Sequence, residues 1–298
     1  MSKWTKLAGV ALAFGIAQPA MAANCATVSF SPFNSSSQFD PINGNYPGQT
    51  ITATVTRLDS NADSARLILL DNDAGALKLS QNGPIYNITT GGNQAVYEAH
   101  HLVQNNEGAL ILFASSNTAN FTFTIPNTTS DFTGGTAYSE PLTYSISCFK
   151  NTTGNGNSQS SNLEVTAFNA SVTIAKIVSI TTAGPQTINF GNFTTTSQQL
   201  QVGVKSTSSI NVNVQTANTN QMVLAGAVSP YPANSSIPYT MTLNGTTVSN
   251  GTSLTNQTRA GVAGMNWPLI LNLTGGLPSG KIAGTYSDTI TLTLTPGT

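Results

Sequence analysis

Apolar residues recur at every second position in one short stretch after another, and outside the N-terminal segment no window repeats at helical spacing. The clearest case lies near the end, where Thr289 to Thr295 reads Thr-Ile-Thr-Leu-Thr-Leu-Thr. Ile290, Leu292 and Leu294 then share one face, as in a strand that buries a single side. In the first half the strand-like stretches are ATVSFSPF, QTITATVTRL, ARLILLDND, GALILFASS, NFTFTIP and LTYSISCF. LEVTAFNASVTIAKIVSI follows, then QTINFGNF, QLQVGVKS, SINVNVQTA, QMVLAGA, IPYTMTLNG, WPLILNL and YSDTITLTLT. Clusters of Asn, Gly, Ser and Pro separate them, and LNGTTV carries the Asn-Gly pair suited to a type I′ hairpin turn. Many short strands with turns between them predict an all-β protein of β-sandwiches.

With 298 residues the chain has room for about two such domains. A signal peptide is expected over 1–22, from Lys3 and Lys6 through the apolar run Leu7 to Ala17 to the small residues Ala20 and Ala22. That run is shorter than the ~20 residues a membrane span needs, so export without stable membrane insertion is expected. Lipidation at Cys25 is disfavoured by Asn24, which stands where a small apolar residue belongs. The domains are placed at 23–176 and 177–298, the first starting at Ala23 and the boundary falling within the stretch SVTIAKIVSI, which could close the first domain or run on into the second. Cys25 and Cys148 are the two cysteines; in an exported chain they most simply form one disulfide, the alternative being two free thiols.

The chemistry-bearing residues are sparse. Charged residues make up 7% of the chain and the net charge is -1, which gives no basic footprint for nucleic acid. His100 and His101 are adjacent; on a strand they point to opposite faces and cannot readily share a metal. LDNDAG, with Asp71, Asp73 and Gly75, starts like a calcium loop but lacks the later acidic ligand, and a tight turn explains it as well. Neither G-x-S-x-G nor H-E-x-x-H occurs, no motif calls for a cofactor, and enzyme activity is disfavoured. Aromatic and apolar residues in turn-rich segments, namely Phe33, Phe39, Tyr46, Ile85, Tyr86 and Tyr97, are candidates for a binding surface or for caps on the core.

The stretch GLPSGKIAGTYSDTITLTLTP resembles the closing strand of the spore coat protein U family, the pilin-type domains of archaic (Csu-type) chaperone–usher pili. That strand commonly reads A-G-x-Y-x-D-x-[IV]-x-[VIL]-x-[VIL]-T, matched here by Ala283, Gly284, Tyr286, Asp288, Ile290, Leu292 and Leu294. INFGNF, residues 188–193, is similar to the family's first strand, and FDPINGNYPGQT and LDSNADSARLILLDND resemble the N-terminal domain of its two-domain members. The chain departs from the pattern in ending TPGT and in having no cysteine in its second half.

The resemblance implies two immunoglobulin-like β-sandwich domains in tandem, the C-terminal one an incomplete pilin-type sandwich that lacks its last strand. It keeps a groove open beside Tyr286, Ile290, Leu292 and Leu294, with Ile188 and Phe190 facing them. A periplasmic chaperone, then an adjacent pilus subunit at the outer-membrane usher, would each fill that groove with a strand, by β-augmentation. Cleavage after Ala22 would leave only Ala23 and Asn24 ahead of Cys25, and a Cys25–Cys148 bond would pin that end. The expectation is therefore a tip adhesin at the cell surface, which accepts a strand and gives none, its first domain serving attachment or biofilm formation through an unidentified surface or glycan. A self-contained secreted carbohydrate-binding β-sandwich protein is the alternative, and a secreted hydrolase ranks last.

Overall fold

The computed structural model describes residues 25–298 apart from 45, 73–76, 127–129 and 159–160, with the backbone alone for 161–163. The expected signal peptide lies outside the described residues. Among the described residues, all regular structure is β apart from one 3-10 turn at Ala233–Ser235.

The first half contains β1 (Ala26–Phe30), β2 (Gln38–Phe39), β3 (Gln49–Arg57), β4 (Ser64–Asp71), β5 (Asn87–Thr90), β6 (Asn93–Gln94), β7 (Val96–Glu98), β8 (Ala109–Leu112), β9 (Thr118–Thr124), β10 (Ala137–Phe149) and β11 (Ser161–Ile174). One sheet runs β1-β3-β9-β5-β6; the other runs β2-β11-β10-β4-β7, with β8 also on β4. Ile51, Ala53 and Val55 of β3 meet Leu67, Leu69, Leu142 and Ile146 of the second sheet in one buried cluster. The disulfide forms between Cys25, just before β1, and Cys148 on β10, so it ties the two sheets together. Both cysteines are buried.

β4 does not alternate: all eight of its residues are buried. Its inner face, Ala65, Leu67 and Leu69, joins the core. Its outer face is roofed by loops gathered around Arg66, whose guanidinium donates to the carbonyls of Gly154 (2.6 Å), Glu107 (3.1 Å) and Thr153 (3.2 Å). A buried cation needs its donors satisfied, and here backbone carbonyls do it. Burial pushes the Arg66 pKa down.

The second half contains β12 (Val178–Ile180), β13 (Ser197–Ser206), β14 (Ile210–Thr216), β15 (Gln221–Leu224), β16 (Ser236–Leu243), β17 (Thr246–Val248), β18 (Ser253–Gln257), β19 (Gly261–Leu273), β20 (Tyr286–Ser287) and β21 (Ile290–Pro296). One sheet runs β12-β13-β19-β16-β15-β20 with β17 on β16; the other is β18-β14-β21. Their inner faces enclose a separate core of residues that includes Val204, Val212, Val214, Met241 and Trp267. The β16–β17 hairpin turns at Asn244 (φ 47°) and Gly245 (φ 80°), the positive pair that a type I′ turn requires.

The halves share no sheet and are joined between β11 and β12 by residues 175–177. They meet through Asp131, whose carboxylate accepts Arg259 Nη1 (2.7 Å), Arg259 Nη2 (2.7 Å) and the Val262 amide (3.0 Å). Arg259 Nη1 also donates to the Phe132 carbonyl (3.2 Å). Beside this clamp, the Gly134 amide donates to the Thr207 carbonyl (2.7 Å), and Thr207 Oγ1 donates to the Ala175 carbonyl (2.6 Å).

Candidate functional site: an apolar groove between two free strand edges

β21 pairs antiparallel with β14 from Ile210↔Pro296 to Thr216↔Ile290. Among the described residues it pairs with no strand along its other edge. Ile290, Leu292 and Leu294 face inward and are only half-buried, although they pack against the second core. The alternation read in the sequence is thus present, with part of its apolar row left uncovered.

β13 forms the opposite wall. It pairs with β19 along one edge, while β12 covers only Val204 to Ser206 of the other. The Thr181 amide adds one more bond to the Gly203 carbonyl (2.8 Å). Upstream, from Ser197 to Val202, that edge meets no further strand among the described residues.

Between these two edges lies a cleft of about 630 Å³. Leu200, Val202, Leu269 and Leu271 line it from the larger sheet, and Ile290 and Leu292 from the smaller. Ile188 and Phe190 enter it from the segment before β13. That segment corrects an expectation: QTINFGNF forms no strand, and Gly191 (φ 55°) and Phe193 (φ 56°) take turn conformations. A strand needs a neighbour to bond to, and among the described residues none lies beside 187–193. Their apolar side chains still go inward: Phe190 is buried, and Phe193 meets Tyr286 edge to face with centroids 6.2 Å apart. Tyr286 Oη donates to the Ile282 carbonyl (2.7 Å), with the Asn234 carbonyl also within reach (3.1 Å), which seats the ring at the rim.

One polar cluster stands at the groove's end, and the sequence reading did not foresee it. Asp288 Oδ2 accepts the Tyr239 hydroxyl at 2.6 Å. Asp288 Oδ1 accepts the amides of Thr289 (2.8 Å) and Asn218 (3.0 Å) and the Asn218 side chain (3.2 Å). Burial, then the Asp288 carboxylate, pushes the Tyr239 phenol far above its usual range, so it stays a protonated donor. Tyr239 lies at an alternate position of β16, a signal of inward placement, but its long-range partner leaves no local trace in the sequence.

The candidate binding residues of the first half separate into two groups. Phe39 and Tyr86 are core residues, not surface ones: both are fully buried, and Tyr86 stacks on Phe123 with centroids 5.4 Å apart. Phe33 and Tyr46 are half-buried and also pack on Phe123, at 5.1 and 5.7 Å. Loop aromatics here close the ends of the sandwich, because the loops fold over the core they connect. Ile85 is exposed, at 47%. Tyr97 is half-buried and stacks on His101 at 4.4 Å.

The histidines lie in a turn after β7, not on a strand, and His100 has φ 64°. His100 pairs with Glu164, and His101 with Glu107 at 2.8 Å, so each has its own carboxylate. Asp71 is buried and accepts the Tyr86 hydroxyl at 2.7 Å, while Asp73 lies outside the described residues. Among the described residues no group of three or more His, Cys, Asp or Glu side chains could hold a metal ion, and no helix is long and apolar enough to cross a membrane.

No protein-family model matches the chain, and no curated protein matches its sequence. Among solved structures it is similar to the CsuC–CsuE chaperone–tip adhesion subunit pre-assembly complex from archaic chaperone–usher Csu pili of Acinetobacter baumannii. The identity there is 14%, over 90% of this chain and 99% of that one, with a TM-score of 0.46. A chaperone–tip adhesin complex of CFA/I fimbriae biogenesis is similar at 13% identity, over 91% and 92% of the two chains, with a TM-score of 0.32. A mutant of the CFA/I adhesin CfaE from enterotoxigenic E. coli is similar at 11% identity, over 91% and 82%, with a TM-score of 0.29.

Proposed function

We propose that the chain is a chaperone–usher pilus subunit of the tip-adhesin kind, whose second sandwich is completed by a strand from another polypeptide. One observation carries the reading: among the described residues the β21 edge and the Ser197–Val202 part of the β13 edge pair with no strand, and they stand on either side of one apolar cleft. A strand set between them gives main-chain bonds to both edges and places alternate side chains on the apolar floor, which is the physics of β-augmentation. Left open, such an edge invites aggregation. That hazard supports a periplasmic chaperone as the first occupant and, at the outer-membrane usher, the adjacent subunit as the second. The first sandwich is then the part free to meet a surface or glycan, with attachment or biofilm formation as the outcome, after export to the cell surface.

Ile188 and Phe190 support a second reading. They already occupy part of the cleft, as they would in a self-contained secreted carbohydrate-binding module. One experiment separates the two. Purified full-length mature protein is mixed with a synthetic peptide of about ten residues, apolar at alternate positions, long enough to span ~33 Å as a strand. Saturable binding with a raised melting temperature of the second sandwich is expected. A melting curve unchanged by the peptide, in protein that stays monomeric alone, favours the self-contained module and sinks the acceptor reading.

A further inference from the structure

We propose that the Tyr239–Asp288 hydrogen bond is a strut that positions β21 for strand capture, with Asp288 as the positioning residue. The inference rests on the groove being a strand acceptor. Among the described residues no strand bridges β13 and β21; the nearest main-chain tie to the larger sheet is β20, where Tyr286 and Ser287 pair with Leu224 and Val223 of β15 just before Asp288. The Tyr239 hydroxyl adds a side-chain tie where the chain crosses over: Tyr239 belongs to β16 in the larger sheet, and Asp288 stands between β20, the last strand of that sheet, and β21 in the smaller one. Both line the cleft.

The anchorage at each end suits a strut. Tyr239 is 3% exposed, and its amide donates to the Asn220 carbonyl at 3.0 Å. Asp288 is fixed by three further N–H donors, from Thr289 and from the backbone and side chain of Asn218. Asn218 is itself held by the Tyr231 hydroxyl, which donates to its Oδ1 at 3.0 Å. One carboxylate therefore joins β16, the turn between β14 and β15 and the entry to β21. A hydrogen bond to an ionised acceptor is about twice as strong as a neutral one. The joined point also ends the apolar row: inward from it come Ile290 and Leu292, and at it the lining turns polar. An incoming strand thus meets a gap of set width with a marked end.

The test uses Tyr239→Phe, which removes one oxygen and leaves the three N–H bonds to Asp288, beside Asp288→Ala and the double variant. Val248→Ala, buried in the same core but outside the cleft lining, is the control for general destabilisation. Stopped-flow binding of the alternating peptide to the full mature chain reads the association rate, and calorimetry reads the melting temperature. Tyr239→Phe is expected to slow capture roughly tenfold, the double variant to be no slower than Asp288→Ala, and Val248→Ala to capture at the wild-type rate despite a lower melting temperature. Wild-type rates in Tyr239→Phe overturn the strut and leave the acceptor reading standing. A wild-type chain that binds no peptide overturns both.

Discussion

The clamp between the sandwiches gives the sharpest quantitative prediction, because it can be broken and rebuilt. Asp131→Ala deletes both 2.7 Å bonds to Arg259 and the 3.0 Å bond from the Val262 amide. The Arg259 and Asp131 side chains are 29% and 50% exposed, so solvent screens the pair heavily. Exposed pairs contribute about 0.2–1 kcal/mol; the two-pronged geometry and the extra amide raise this to about 1–2 kcal/mol. The bond from Gly134 to Thr207 stays. The expected outcome is a roughly tenfold shift from docked towards undocked sandwiches, not their unfolding.

Single-molecule energy transfer between dyes at Ser115 and Thr246, one in each sandwich, measures that ratio. Wild type is expected to show one narrow distance peak that broadens as salt rises, since screening weakens exposed charges. Asp131→Ala should show the broad distribution already at low salt. The exchanged pair, Asp131→Arg with Arg259→Asp, should recover most of the narrow peak even though it loses the Val262 contact. If Asp131→Ala keeps the wild-type distribution at low salt, the clamp does not set the docking and the bonds around Thr207 do.

Three further outcomes are expected. Leu292→Asn removes a half-buried apolar side chain from the groove; it should cost the free chain under ~1 kcal/mol but weaken peptide binding about tenfold by titration, and equal affinity would contradict the placement of Leu292. Cys25→Ser with Cys148→Ser opens a closure spanning 123 residues, which in the chain-entropy model costs about 5 kcal/mol and lowers the melting temperature of the first sandwich by roughly 10–20 °C. Tyr239 has a raised folded-state pKa, so its stabilisation is complete below the unfolded tyrosine value of about 10 and is lost as pH climbs above it. Denaturant titrations of the second sandwich should therefore show stability falling above pH ~10, with a shallower fall in Tyr239→Phe.

What was readable in the sequence was whatever local pattern controls. The alternation in SINVNVQTA and TITLTLT gave β14 and β21, and the presence of two cysteines, Cys25 and Cys148, pointed to the disulfide. Long-range effects escaped. INFGNF carries a strand's alternation, and Phe190 is buried as that pattern implies, yet among the described residues no strand lies beside it and no ladder forms. The continuous run in ARLILL hides two different environments: the core on one face, and on the other a roof of carbonyls bonded to Arg66 from residues up to 88 positions away. Phe39 and Tyr86 looked like loop aromatics for the same reason, since exposure depends on where a loop folds back.

Edge management strengthens the case for a strand-shaped occupant. Soluble sheets blunt their edges by keeping them short or by placing lysine or proline there. Several edge strands here are short: β2 and β6 have two residues each, and β12 has three. β21 has seven, uncharged from Ile290 to Thr295, with proline only at its end. The exposed stretch of β13 carries Gln198, Gln199 and Gln201, and its only charge, Lys205, sits where β12 already pairs. A chain with 7% charged residues has few lysines to spare, but that scarcity does not put the long β21 edge and the uncovered part of β13 on opposite sides of one apolar cleft. A docked helix or loop could cover the apolar floor but would not continue either ladder, although a loop side chain, that of Thr182, already bonds the Gln201 carbonyl and the Gly203 amide of β13. A single extended segment covers the floor and continues both ladders.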